Sequence, residues 1–240
     1  AAGGIYMNRK YRVLRFKLRE LSFEPCKAFD VLRTGMPMAL QYSVISVGIL
    51  ILQRLVNTYG QAMIASFTVV VRLQGFLTIP IKGFQSTMMT YAGQNMGAGK
   101  KERIPPGLWQ SVGMSLGITM ALSAVIYGFM NPLVQGFGID SGAARICVTH
   151  LRVMVPSILM YAAYFPMNGM FQGVGDGVHA TAYALLALAL RILFSYTLST
   201  VEYWGYTAIW WSETYAWIIV LTVYYIYYFR GNWKNKALIS

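Results

Sequence analysis

Long apolar runs, each parted from the next by a short polar connector, dominate this chain and leave few folds open to it. A helical crossing of the bilayer core needs about 20 predominantly apolar residues. Six segments approach or exceed that length: about Met36 to Val56, Ala62 to Tyr91, Gly107 to Met130, Val148 to Phe171, Ala180 to Ser199 and Tyr206 to Phe229. At 1.5 Å per residue the second is long enough to tilt or to protrude into water. Only 12% of the residues are charged and 56% are hydrophobic, whereas about a quarter of a soluble domain is charged. So few charges cannot cover a water-exposed surface. The expected fold is an all-α membrane protein, a six-transmembrane-helix bundle with the lipid bilayer as its first partner.

The basic residues set the direction of these crossings. Eight precede the first span, Lys100, Lys101 and Arg103 follow the second, and Arg230, Lys234 and Lys236 follow the sixth. The opposite connectors hold Arg54 and Arg145. Lys and Arg accumulate on the cytoplasmic side, so both ends of the chain are expected there, in a multi-pass protein of the cell membrane. The net charge of +12 then reflects orientation, and nucleic acid is not expected as a partner. Tyr203, Trp204, Tyr206, Trp210 and Trp211 mark the outer interface of the sixth span. Tyr224, Tyr225, Tyr227, Tyr228 and Trp233 mark the inner one, as amphipathic rings favour the headgroup level.

Three regions follow: 1–34, 35–230 holding the spans, and a cytoplasmic tail at 231–240. The first opens on a short apolar piece, Ala1 to Met7, with no initiating Met, which reads as the end of a preceding helix. From Asn8 to Asp30 it is basic, with Tyr11, Leu14, Leu18 and Leu21 at helical spacing. That pattern fits an amphipathic stretch on the membrane surface and fits a solvated basic linker equally. Cys26 and Cys147 fall near opposite membrane faces, so no disulfide is expected.

Polar side chains inside lipid are expensive and tend to face a bundle interior or a wet cavity. The charged candidates are Arg72 and Lys82 in the second span, Arg191 in the fifth and Glu213 in the sixth. Arg152 lies close enough to a span end to snorkel. Gln41, Gln85, Tyr161, Tyr164 and Asn168 complete the candidate lining of a substrate cavity; each also fits a satisfied interhelical hydrogen bond. Pro80, Pro156 and Pro166 lie within spans and tend to kink them. GMSLG at 113–117 and GMFQG at 169–173 fit small-residue helix packing.

No catalytic constellation is present, and two histidines and two cysteines offer no metal-ligand cluster. The stretch GQNMGAGKK at 93–101 lacks the spacing, the Ser/Thr after Lys and the preceding strand of a phosphate-binding loop. An enzyme, and a pump carrying its own motor, are therefore not expected.

Several motifs in order resemble the C-terminal half of a multidrug and toxic compound extrusion (MATE) transporter. They are GMP at 35–37, a Pro-x-x-Gly-Phe helix running into GQNMGAGK, FQGVGDG at 171–177, and the Arg191, Tyr196, Gly205 and Trp210 pattern. The resemblance implies one lobe of a two-lobe transporter, the other lobe being a missing partner and residues 1–34 the linker between them. It implies secondary active efflux of small-molecule drugs, often cationic, in exchange for Na⁺ or H⁺ and without another cofactor. Some branches of the family carry cation-binding carboxylates in the first and fourth spans of this lobe. Here those spans contain neither Asp nor Glu, with Gln41, Ile45 and Tyr161 in the general region. Glu213 remains as the coupling-ion candidate, and the coupling site is expected mostly in the missing lobe. Lys82 and Arg72 would repel a cation, which leaves neutral or anionic substrates open. A lipid-linked precursor flippase of the same superfamily and an inactive membrane fragment are the alternatives.

Overall fold

A computed structural model describes residues 24–231 and Trp233. The apolar piece at 1–7, most of the basic stretch at 8–30, Lys234 and Lys236 lie outside the described residues. By internal contacts the chain divides into two units, 1–36 and 37–240. Among the described residues there are seven α-helices and no strand. They are α1 (Pro25–Asn57), α2 (Gln61–Gly97), α3 (Ile104–Gly128), α4 (Met130–Gly136), α5 (Ser141–Gly173), α6 (Gly177–Ser199) and α7 (Ala208–Arg230).

Among the described residues, five helical segments are long and apolar enough to cross a membrane: Ala39–Asn57, Gln61–Gly97, Lys101–Gly128, Ser141–Gly173 and Gly177–Ser199. The expected count of six is therefore not met in full by composition. α7 is 23 residues long, but its Trp and Tyr rings and Glu213 lower its hydropathy below that of the others.

Local chemistry places the breaks between helices. Asp140 caps α5, its carboxylate accepting from the Gly142 and Ala143 amides at 2.8 and 2.9 Å. Pro105 and Pro106 open α3, where a missing amide hydrogen costs nothing. The turn from α5 to α6 passes through Gly175 at φ +84°, a left-handed conformation that favours glycine. Pro80, Pro156 and Pro166 are all accommodated inside continuous helices.

α2 and α5 form the spine of unit 37–240. Their backbones meet at the GMFQG glycines: a Cβ on Gly169 would lie 2.2 Å from the Gln85 carbonyl oxygen, and one on Gly173 2.3 Å from that of Met89. Only glycine permits that approach. The other small-residue pair differs from expectation, since a Cβ on Gly113 or Gly117 would meet nothing within 4 Å. Around the spine, Met88, Leu108, Met167, Phe171, Val220 and Tyr224 fill one core cluster. Leu73, Leu77, Ile81, Leu151 and Ile158 fill a second, and Val56, Met63, Phe67, Ile209 and Trp210 a third.

Candidate functional site

The polar candidates sort into two buried clusters and one exposed face. In the first cluster Glu213 of α7 is 6% exposed and its Oε2 lies 2.8 Å from Nη2 of Arg191 on α6. Oε1 accepts from the Tyr161 hydroxyl of α5 and from Nε2 of Gln74 on α2 at 3.0 Å. Four helices thus converge on one carboxylate. Its charge is met by a guanidinium and two neutral donors, as a charge inside a membrane protein requires. Ser157 and Thr214 pair nearby at 2.7 Å, as do Ser195 and Ser212 at 2.6 Å.

A cavity of about 10 Å³ adjoins the carboxylate, lined by residues including Gln74, His150, Ser157, Tyr161, Trp210 and Glu213. That is about the room a single water molecule needs. His150 stacks on Trp210 with ring centroids 4.6 Å apart. His150 Nδ1, Trp210 Nε1 and Arg191 Nε are buried with no hydrogen-bond partner among the described residues.

The second cluster centres on Asn168 of α5, 1% exposed. Its Nδ2 faces the Tyr164 hydroxyl at 3.1 Å, the Tyr224 hydroxyl at 3.0 Å and the Ala180 carbonyl at 3.2 Å. Its Oδ1 accepts from Gln85 at 2.9 Å and Gln172 at 2.8 Å. The Ala180 carbonyl can only accept, which decides the amide orientation. Just beyond, in the Gly-x-Gly-Asp turn, buried Asp176 accepts from Tyr227 at 2.5 Å and sits 2.7 Å from His179 Nδ1.

Gln41 is buried against α6, where its Oε1 accepts from Thr181 at 3.2 Å. Arg191, Tyr161, Tyr164, Asn168 and Gln85 are held in interhelical networks. Arg72 and Lys82 are different: both are exposed on α2, and neither has a polar partner among the described residues. Placed in hydrocarbon, each would be disfavoured by roughly 2.5–3.5 kcal/mol. Gln74, His150 and Trp210 were not among the site candidates the sequence offered. Gln74 is two residues from Arg72 and so points the other way on a helix; that offset was the available signal.

The MatE family model matches residues 37–197, a stretch that runs from α1 through α6. The chain belongs to the MatE family. MATE proteins are transporters rather than enzymes, and this chain is a multi-pass membrane member. It is 22% identical over 238 residues to a probable multidrug resistance protein, YpnP of Bacillus subtilis, covering 99% of this chain and 53% of that relative. It is 26% identical over 211 residues to the multidrug export protein MepA of Staphylococcus haemolyticus, covering 87% and 45%. In structure it is similar to a multidrug resistance MATE family transporter of the MOP superfamily in its outward-facing conformation. That match has a TM-score of 0.84 at 20% identity and covers 92% of this chain and 51% of the other. The chain spans about half the length of the curated relatives it matches.

Proposed function

We infer that this chain is one lobe of a secondary active efflux antiporter that exports organic compounds in exchange for Na⁺ or H⁺. With a second lobe it encloses a central cavity that opens to each side of the cell membrane in turn, with the basic connectors in the cytoplasm. The observation that carries this reading is the divided character of α2. One face is buried on α5, while the other exposes Arg72, Lys82, Ser86, Thr90 and Gln94. Lipid would penalise such a face, whereas an aqueous cavity between lobes accommodates it. The relatives' half-length match supports a second lobe, and their multidrug names support small organic substrates. No acidic residue lies within α2, α3, α5 or α6, and Glu213 already holds Arg191. This supports a coupling site that lies mostly in the second lobe, with Glu213 as the candidate within this one.

The test is accumulation of fluorescent dyes in cells expressing the gene product that contains this chain. Accumulation falls, and the effect disappears when an ionophore collapses the Na⁺ or H⁺ gradient. A second reading, a flippase for a lipid-linked precursor, draws on the same two cations, which suit a pyrophosphate headgroup. Unchanged dye levels together with rescue of a flippase-deficient strain would establish it instead.

A further inference from the structure

The exposed face of α2 differs in composition from that of α3. At 100° per residue, Thr68, Arg72, Gly75, Phe76, Ile79, Lys82, Gly83, Ser86 and Thr90 fall within one arc, and all are exposed. On α3 the exposed side chains include Met114, Ile118, Met120, Leu122 and Val125 and none that is charged, as suits a lipid-facing helix. The α2 face instead alternates cations, hydroxyls and glycines around an apolar patch, Phe76 and Ile79, each 66% exposed. Gly75 and Gly83 leave open space beside that patch, with nothing within 4 Å of a Cβ at either position.

The depth of the face follows from what its helix packs against. Met63 and Phe67 share a core cluster with Trp210 of the outer aromatic belt. Gln85 bonds Asn168, which bonds Tyr224 of the inner belt. Arg72 and Lys82, about 15 Å apart along the axis, therefore both lie between the belts. Helical side chains lean toward the N-terminus of their helix. Arg72 thus leans toward its nearer interface and reaches water by snorkelling. Lys82 leans away from its nearer interface, toward the bilayer centre, and needs water or a counter-ion within the cavity. No carboxylate among the described residues supplies one, since Glu213 is held on the opposite side of α2 through Gln74.

We propose that this face is the substrate-binding wall of the lobe and that the substrate is an organic anion with an apolar body. Its anionic group pairs with Lys82, its body lies on Phe76 and Ile79 in the space left by Gly75 and Gly83, and Arg72 keeps the outer end of the wall positive. The proposal rests on the reading that this face lines a transport cavity. A free organic anion fits better than a lipid headgroup, because headgroups lie at the level of the belts and Lys82 lies inside them.

The test is binding to the purified gene product that contains this chain, followed by fluorescence anisotropy. The probes are 5-carboxyfluorescein as the anion and ethidium as the cation. Carboxyfluorescein binds, ethidium does not compete, Lys82→Gln weakens binding at least tenfold and Lys82→Arg restores it. Arg72→Gln weakens it about threefold. Preferred binding of ethidium, or carboxyfluorescein binding unaltered by Lys82→Gln in a monodisperse variant, overturns the proposal. So does complete displacement of the probe by equimolar phosphatidylglycerol, which would assign the face to a lipid headgroup. Gradient-driven movement of either dye into proteoliposomes is scored separately. Its loss alone defeats the antiporter reading and leaves the anion site standing.

Discussion

Arg191 and Glu213 form an ion pair at 2.8 Å between α6 and α7, and the same carboxylate receives Tyr161 of α5 and Gln74 of α2. The pair ties together α2, α5, α6 and α7. It also pairs the one acid inside α7 with a cation, leaving Asp176, held by Tyr227 and His179, as the other buried carboxylate among the described residues.

Removing one member of that pair leaves the other charge uncompensated. Arg191→Met or Glu213→Leu singly should destabilise the fold by about 3–5 kcal/mol. The double substitution should recover most of the loss, because an apolar pair of similar volume needs no partner. Thermal melting in detergent, run as a double-mutant cycle, decides this; additive losses would show that the two side chains do not depend on each other.

The α2–α5 contact gives a sharper contrast. Gly169→Ala places a Cβ 2.2 Å from the Gln85 carbonyl oxygen and forces the helices apart. Overpacking of that kind costs about 1–3 kcal/mol. Gly113→Ala meets open space and should be neutral or gain up to about 1 kcal/mol from helix propensity. Equal melting temperatures for the two variants would contradict the close approach.

Asn168 holds five polar groups at once. Asn168→Leu leaves the half-buried donors of Gln85 and Gln172 without their acceptor, at about 1 kcal/mol each. Melting should fall accordingly. Tyr224→Phe removes one hydroxyl and should cost only about 1 kcal/mol.

Water access separates the exposed faces. In a Cys26→Ser background Cys147 is buried and should stay unlabelled by a water-soluble maleimide. Gly83→Cys, on the cationic face of α2, should react in membranes, whereas Gly117→Cys on α3 should react only after solubilisation. Reaction of both at similar rates would place both faces in the same medium. In intact cells, Gly138→Cys should be labelled from outside and Lys100→Cys only after permeabilisation.

Much of the fold was readable along the chain because membrane insertion is decided by local composition. The five apolar segments, the breaks near Gly60, Gly99 and Gly175, and the aromatic rings of α7 are runs of neighbouring residues. Lipid tests each run independently of the others. Most of residues 8–30, read as an amphipathic stretch or a linker, lies outside the described residues, and its end forms the start of α1.

The candidate site was readable only as a set of costly residues. Sequence singled out Arg72, Lys82, Arg191 and Glu213, since a charge in hydrocarbon is improbable wherever it points. It did not tell which would meet. Arg191 and Glu213 are 22 residues apart and face each other, while Arg72 and Lys82 meet no polar partner among the described residues. Gln74, 139 residues from Glu213, joins the pair only because glycines 169 and 173 let α2 settle on α5. Partner choice depends on how helices turn toward one another, and that is set by close packing between distant segments. The chain alone determined that there would be helices through lipid; the tertiary structure decided which polar groups they hide and which they leave to water.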